Sequence, residues 1–424
     1  MPGVHDILQL LKQDVPRIDV GGVFGSARAY ILARMVEDTP DRTRLVICPT
    51  EDAATTLLQD IELFLPEALH HRVRAFPEAD TLPYLKLSPD PVRWADRMER
   101  LYELNAGHAI TIITTIAGAS RVTPPTSFIA HGSREVRMGA HLDRDEFATW
   151  LVEHGYVDVG LVEDEGSFAL RGGIVDVWTP TLDDLVRIEL DGDEIVSMRR
   201  FDPANQRSRG ELRSAHIIPA GDVCFTPEAT ERALGRIRKR ADDKGLPGPD
   251  KRLILERVRE RITFEGIETF APFFHDERAT IIDYLPQDAL VIIDDPDDVR
   301  EQLRAHFEKL HDLAATSTSL ETLVSPDELY TTADDVLAAA SKCTTMTWQA
   351  TETPERLLRG GTQSEGQVTP ARCSREGAPG DTFEESRQTT CESARRNLFF
   401  CWILDTAMRV SCIDIFVFLS KRPF

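Results

Sequence analysis

Over the first 123 residues, short apolar runs alternate with stretches of helical period. Residues 18–20, 44–48, 73–76 and 109–115 read as strands. The last, Ala-Ile-Thr-Ile-Ile-Thr-Thr, has the β-branched, unalternating composition of a strand buried on both faces. Residues 27–36, 53–64 and 93–105 read as amphipathic helices, the third with Trp94, Met98, Leu101 and Leu104 in register. Strand–helix alternation of this kind predicts an α/β domain on a parallel sheet.

From residue 124 the pattern changes. Pro124-Pro125 breaks the chain, one short helix is expected at 144–154, and strands follow at 156–162, 168–170, 173–178, 186–190 and 194–201. Gly166, Gly172-Gly173 and Asp191-Gly192-Asp193 supply the turns. This predicts a small α+β domain over 124–219 on an antiparallel sheet. A helix capped by Thr226, with Pro227 at its first position, opens the next stretch. Gly245-Leu-Pro-Gly-Pro249 interrupts it and 251–262 resumes it. Residues 280–284 and 289–294 return to buried-strand composition, and a helix is expected at 296–314. The α/β domain is therefore expected to be split, 1–123 plus 220–325, around the inserted domain. A composition change near 325 predicts a further domain starting over 326–365, of which 329–340 is readable. The tail, 366–424, is rich in Ser, Thr, Gly, Glu and Arg and then apolar, without periodicity. It fits either a non-globular, out-of-frame end or an interaction tail.

Composition narrows the function. The chain has 424 residues and a net charge of -22, which disfavours general binding to a phosphate backbone. Met1 to Asp14 has no long apolar run, and the apolar end of the chain carries Asp405, Arg409 and Asp414, so no membrane role is expected. Five of the seven cysteines lie beyond residue 340. Only Cys48 and Cys224 precede it, which suits a reducing cytoplasm. No metal-ligand spacing, no cofactor motif and no Ser/His/Asp or Cys/His catalytic arrangement stands out.

Two motifs carry the most information. Gly22-Val-Phe-Gly25-Ser26-Ala27-Arg28-Ala29, between a strand and a helix, has the outline of a phosphate-binding loop. An active loop reads G-x-x-x-x-G-K-[ST]; here Ala27 replaces the second Gly, Arg28 the Lys and Ala29 the Mg²⁺-binding hydroxyl. Ile292-Ile293-Asp294-Asp295 ends a strand where a nucleotide hydrolase would hold Mg²⁺ and its attacking water, but Pro296 follows. Together they read as a nucleotide site with its chemistry removed. In the inserted domain, Arg171 flanks the Gly172-Gly173 turn; the pattern alone favours a plain surface arginine beside a hairpin turn over a recognition arginine for an acidic partner surface.

Several blocks in order resemble the N-terminal part of the bacterial transcription-repair coupling factor family (Mfd), itself similar to UvrB, the damage-recognition subunit of the excision nuclease. They are the 22–29 loop, Phe76-Pro-Glu-Ala-Asp-Thr-Leu-Pro-Tyr84 running into Leu87-Ser-Pro89, and Phe168-Ala-Leu-Arg-Gly-Gly-Ile-Val-Asp176. Val186-Arg-Ile-Glu-Leu190, Arg200-Phe-Asp-Pro203, Phe264-Glu-Gly-Ile-Glu268 and Asp283-Tyr-Leu-Pro286 complete the set. The resemblance implies a split, P-loop-like α/β domain with a degenerate loop, and an inserted domain that docks UvrA. It places Phe168 and Arg171 on the docking block, with Arg187 and Glu189 on the neighbouring strand. It also implies no Tyr-rich DNA-clamping hairpin at 76–89. Where relatives tend to carry a basic residue after the tyrosine matching Tyr156, this chain has Val157-Asp158. For the full-length family the resemblance implies RNA polymerase and DNA as further partners and an ATP-driven DNA motor, which these residues do not reach. The alternatives are a UvrB-like DNA binder or a weak nucleotide-binding pseudo-ATPase.

Overall fold

The computed structural model describes residues 2–13, 15–202, 207–318, 320–350 and 416–419. Its larger sheet is parallel and is built from β1 (Arg17–Gly21), β2 (Arg44–Cys48), β3 (Val73–Ala75) and β4 (Thr111–Thr115), joined late in the chain by two more strands. The inserted region contributes β5 (Arg134–Arg137), β6 (Val157–Asp158), β7 (Ser167–Arg171), β8 (Ile174–Val177), β9 (Leu185–Asp191), β10 (Glu194–Phe201), β11 (Ser208–Glu211) and β12 (Ser214–Ile217). The late strands are β13 (Leu290–Asp294) and β14 (Thr344–Gln349), and β15 (Phe416–Leu419) closes the series.

The larger sheet runs in the order β15-β1-β14-β13-β2-β4-β3, parallel throughout except for β15 against β1. Strand alternation divides its side chains between two cores. Leu290 and Ile292 of β13 pack with Val46, Ile113, Met346 and Trp348 beneath the helices Ala27–Asp38 and Glu51–Phe64. Val291 and Ile293 face the other way, with Leu45, Ile47 and Ile112, beneath the helices Pro91–Asn105 and Pro296–Thr316. Burial on both faces explains why these strands read as continuous apolar runs rather than alternating ones.

Two expectations need correction. Residues 326–350 do not open a separate domain: β14 lies between β1 and β13 in the middle of the parallel sheet, and the helix Ala333–Ala340 packs into its second core. Residues 280–284 are not a strand but a 3-10 turn, Ile281–Tyr284, because Asp283 folds back to accept from the Thr280 amide (2.7 Å) and hydroxyl (3.1 Å). Apart from β15, the 366–424 tail lies outside the described residues.

The inserted region forms its own sheet, β11-β10-β9-β8-β7-β6, antiparallel except for the two-residue β6, which runs parallel to β7. Sequence reading extends β6 to residue 162. The strand stops at Asp158 because Gly160 and Val162 turn away, Val162 burying itself in a small cluster with Ala169, Leu185 and Phe201. The main core of this sheet, with Phe147, Leu151, Phe168, Val175, Val186 and Ile188, is closed by the helix Arg144–Glu153 and by the separate β5–β12 pair. Its strand ends at Gly172-Gly173 need glycine: Gly172 has φ +59°, and a Cβ on Gly173 would come within 2.8 Å of the Leu190 carbonyl.

Where the inserted sheet meets the parallel-sheet body, burial raises the carboxyls of Glu165 and Glu268 to about 7. Both sit above their unfolded values, so the stability they contribute is present at low pH and is lost as pH rises through about 7. We therefore expect the melting temperature to rise as pH falls from 8.5 to 6.5, and the slope to flatten in Glu165→Gln/Glu268→Gln. Melts at fixed ionic strength check this.

Candidate functional site

The 22–29 loop leaves the carboxyl end of β1, the edge of a parallel sheet where ligands enter. Gly22 and Gly25 adopt φ +75° and +55°, which permits the tight turn. The turn then closes on itself: the Ala27 and Arg28 amides donate to the carbonyls of Phe24 and Gly25, both at 3.3 Å, and the Val23 amide to Gln349 (3.0 Å). Ser26 Oγ donates to Asp60 Oδ2 at 2.7 Å, away from the loop mouth. Ala29 is fully buried in the first turn of the helix Ala27–Asp38.

Register brings Asp294, at the end of β13, beside Trp348 of β14, and β14 is the strand next to β1. Across this end Arg28 Nη1 donates to Asp294 Oδ2 at 2.7 Å. The carboxylate is 2% exposed and the arginine 23%. Burial pushes Asp294 up to about 6, against the downward pull of the Arg28 charge. Arg28 thus places a fixed guanidinium on this buried carboxylate. Asp295, read from sequence as part of the same relic, does something else: at φ +54° it caps the helix Pro296–Thr316 by accepting from the Asp298 amide.

The inserted sheet has two faces, and pairing assigns the predicted residues to them. Cross-strand partners Arg171, Ile174, Glu189 and Ser197 form one row; Ala169, Asp176, Arg187 and Arg199 form the next. Both rows lie on the face opposite the main core. Arg171, Arg187 and Glu189 are thus brought together. Phe168 is not: period-two alternation turns it inward, 1% exposed, between Tyr156 and Val175, so it is a core residue and no surface anchor.

On this outer face Arg187 is already engaged. Its Nε and Nη2 meet Asp176 Oδ1 and Oδ2 at 2.6 and 2.8 Å, and its guanidinium lies 4.2 Å from the Phe201 ring. Arg171 is exposed at the end of its row and holds position by donating to the Gly160 carbonyl (2.6 Å). The edge strand presents the exposed Val157 and Asp158 beside the start of β7. Asp176 and Arg199 belong to this face and were missed from sequence. The signal was available, since they fall in phase with Arg187 and Arg171 once register is known.

Comparison with known proteins agrees with this division. Residues 135–222 match the UvrB interaction domain. The chain is 33% identical over 333 residues to the transcription-repair-coupling factor of Myxococcus xanthus, covering 76% of this chain and 27% of that protein. It is 27% identical over 303 residues to that of Bacillus subtilis (66% and 24%) and 26% identical over 318 residues to that of Haemophilus influenzae (75% and 27%). The chain spans about a quarter of the length of the curated relatives it matches. No described helix is long and apolar enough to cross a membrane. The separate inserted sheet and these matches agree that the chain belongs to the transcription-repair coupling factor family.

Proposed function

We propose that this chain is the UvrB-like module with which a transcription-repair coupling factor recruits UvrA to stalled RNA polymerase in nucleotide excision repair. The observation that carries this reading is the outer face of the inserted sheet. It gathers Arg171, Arg187 and Glu189 on rigid strands, within the stretch that matches the UvrB interaction domain. Hot spots in interfaces of this kind are few and enriched in arginine. Arg171 fits that role, because it is exposed and its one hydrogen bond fixes its direction without burying its charge. The fold reading that goes with it is a split P-loop-like domain in which the Arg28–Asp294 pair has taken the place of nucleotide and metal. Hydrolysis is therefore assigned to none of the described residues, and polymerase binding and DNA translocation to regions of the family outside them.

Two variants separate docking from folding. Arg187→Ala leaves the buried Asp176 carboxylate (3% exposed) without its partner, so stability and UvrA affinity are expected to fall together. Arg171→Ala is expected to weaken UvrA binding about tenfold with an unchanged melting temperature. Paired binding and melting measurements check this; unchanged binding by Arg171→Ala would remove the outer face from the interface.

A further inference from the structure

A cavity of about 440 Å³ opens between the inserted sheet and the parallel-sheet body. Pro89, Val157 and Phe225 contribute apolar wall, and four carboxyls line it: Glu165, Asp222, Glu265, which accepts from the Ser88 amide at 3.0 Å, and Glu268. Asp222 is 4% exposed, yet its carboxylate accepts no hydrogen bond and forms no ion pair among the described residues. Arg97 and Arg121 attract it only at a distance, from positions against the Trp94 ring (5.2 and 5.0 Å from its centroid). Glu268 accepts from Ser88 Oγ at 3.0 Å. Negative potential is reinforced by Asp90, Asp96, Glu99 and Asp183, all of which act on Glu165.

A second feature is independent of the acids. Trp94 borders the same cavity, is 6% exposed, and its indole Nε1 has no acceptor. Nε1 lies beside Gly221, where a Cβ would approach to 3.9 Å. A buried indole N–H without a partner is a costly arrangement that an incoming acceptor relieves. The cavity therefore offers two complementary halves: carboxylates for a cation, and a donor for a neutral oxygen. No group of three metal-ligating side chains among the described residues is placed to hold a metal ion, so the geometry favours an organic cation. The volume is within the range of small-ligand sites.

We propose that this junction cavity receives one basic side chain, with its adjoining carbonyl, from a partner polypeptide. The cation lies among Glu165, Asp222 and Glu268, and the carbonyl accepts from Trp94 Nε1. Such an occupant touches both the inserted sheet and the parallel-sheet body, through Val157 and Glu165 on one side and Trp94 and Glu268 on the other. The site is read without UvrA, so it stands or falls separately from the docking face.

The test uses the full chain, ¹⁵N-labelled, titrated with N-acetyl-argininamide. The readout is the Trp94 indole N–H resonance, assigned through Trp94→Phe. A saturable shift is expected, weakened at least tenfold in Glu165→Gln/Glu268→Gln, whose circular dichroism should match the parent. Asp222→Asn is the second variant and is expected to weaken binding likewise. Spermidine, a cation with no carbonyl, is expected to bind at least tenfold more weakly than N-acetyl-argininamide. No saturable shift at Trp94, or equal affinity in the carboxamide variants, overturns the site. Equal binding of spermidine overturns its assignment to a polypeptide.

Discussion

Replacing Arg28 with Met is expected to destabilise the chain by about 3 kcal/mol at pH 7.5, the scale seen when one partner of a buried ion pair is removed. The reason lies in Asp294. It is 2% exposed at the end of a central strand, and Arg28 is the cation that meets it. Without the guanidinium, a buried carboxylate must either stay charged in an apolar setting or take up a proton. The loss should therefore shrink below about pH 6, where Asp294 already titrates. Arg28→Met/Asp294→Asn should regain most of the stability, because the charge that needed a partner is gone. Denaturant unfolding of the parent, the two single variants and the double variant measures the coupling directly. A coupling near zero would mean that the pair is an ornament of a turn held by other forces. The same arrangement predicts that Mg²⁺-ATP gives the parent chain no thermal stabilisation.

Replacing Trp348 with Ala is expected to be the largest single loss in the parallel-sheet body, about 4 kcal/mol. Its side chain is fully buried, and it sits on β14 between the two strands that carry the 22–29 loop and Asp294. A cavity there removes contacts from Ile18, Val20, Ile292 and the helix above them at once. If residues 326–350 were instead the start of an independent domain, the variant would unfold that part alone and leave the main transition in place. One cooperative transition, shifted as a whole, is the expected result.

That boundary shows where the sequence stopped being legible. β2, β4 and β13 announce themselves as apolar or β-branched runs because they are buried on both faces, whereas β1 alternates. β14 obeys the same burial rule with Thr-Thr-Met-Thr-Trp-Gln. Thr345 and Thr347 are 2% and 3% exposed and satisfy their hydroxyls locally, Thr347 on Asp19 (2.7 Å) and Thr345 on the Pro16 carbonyl (3.4 Å). A strand that hides polar side chains by pairing them reads as loop until its neighbours are known. The turn at 281–284 fails in the opposite direction: its apolar residues are buried, but one Asp–Thr cap curls them out of the strand.

Sequence marked Gly22 to Ala29 as a turn between a strand and a helix. The contact of that turn with Asp294 was not legible, because Arg28 and Asp294 are 266 positions apart and only the sheet order joins them. In the inserted sheet, composition located the block but not the face. Arg171 lies at the end of β7, while Arg187 and Glu189 lie two residues apart on β9. Only hairpin register shows that they share a surface and that Phe168 belongs to the core.

The central claim is that the inserted sheet docks UvrA through its outer face. The most direct measurement is calorimetric titration of the full chain with UvrA, beside Arg171→Glu, whose melting temperature should equal the parent's. Binding by the parent that the charge reversal weakens at least tenfold, about 1.4 kcal/mol, is the predicted result. No binding by the parent, or equal binding by both, would contradict it.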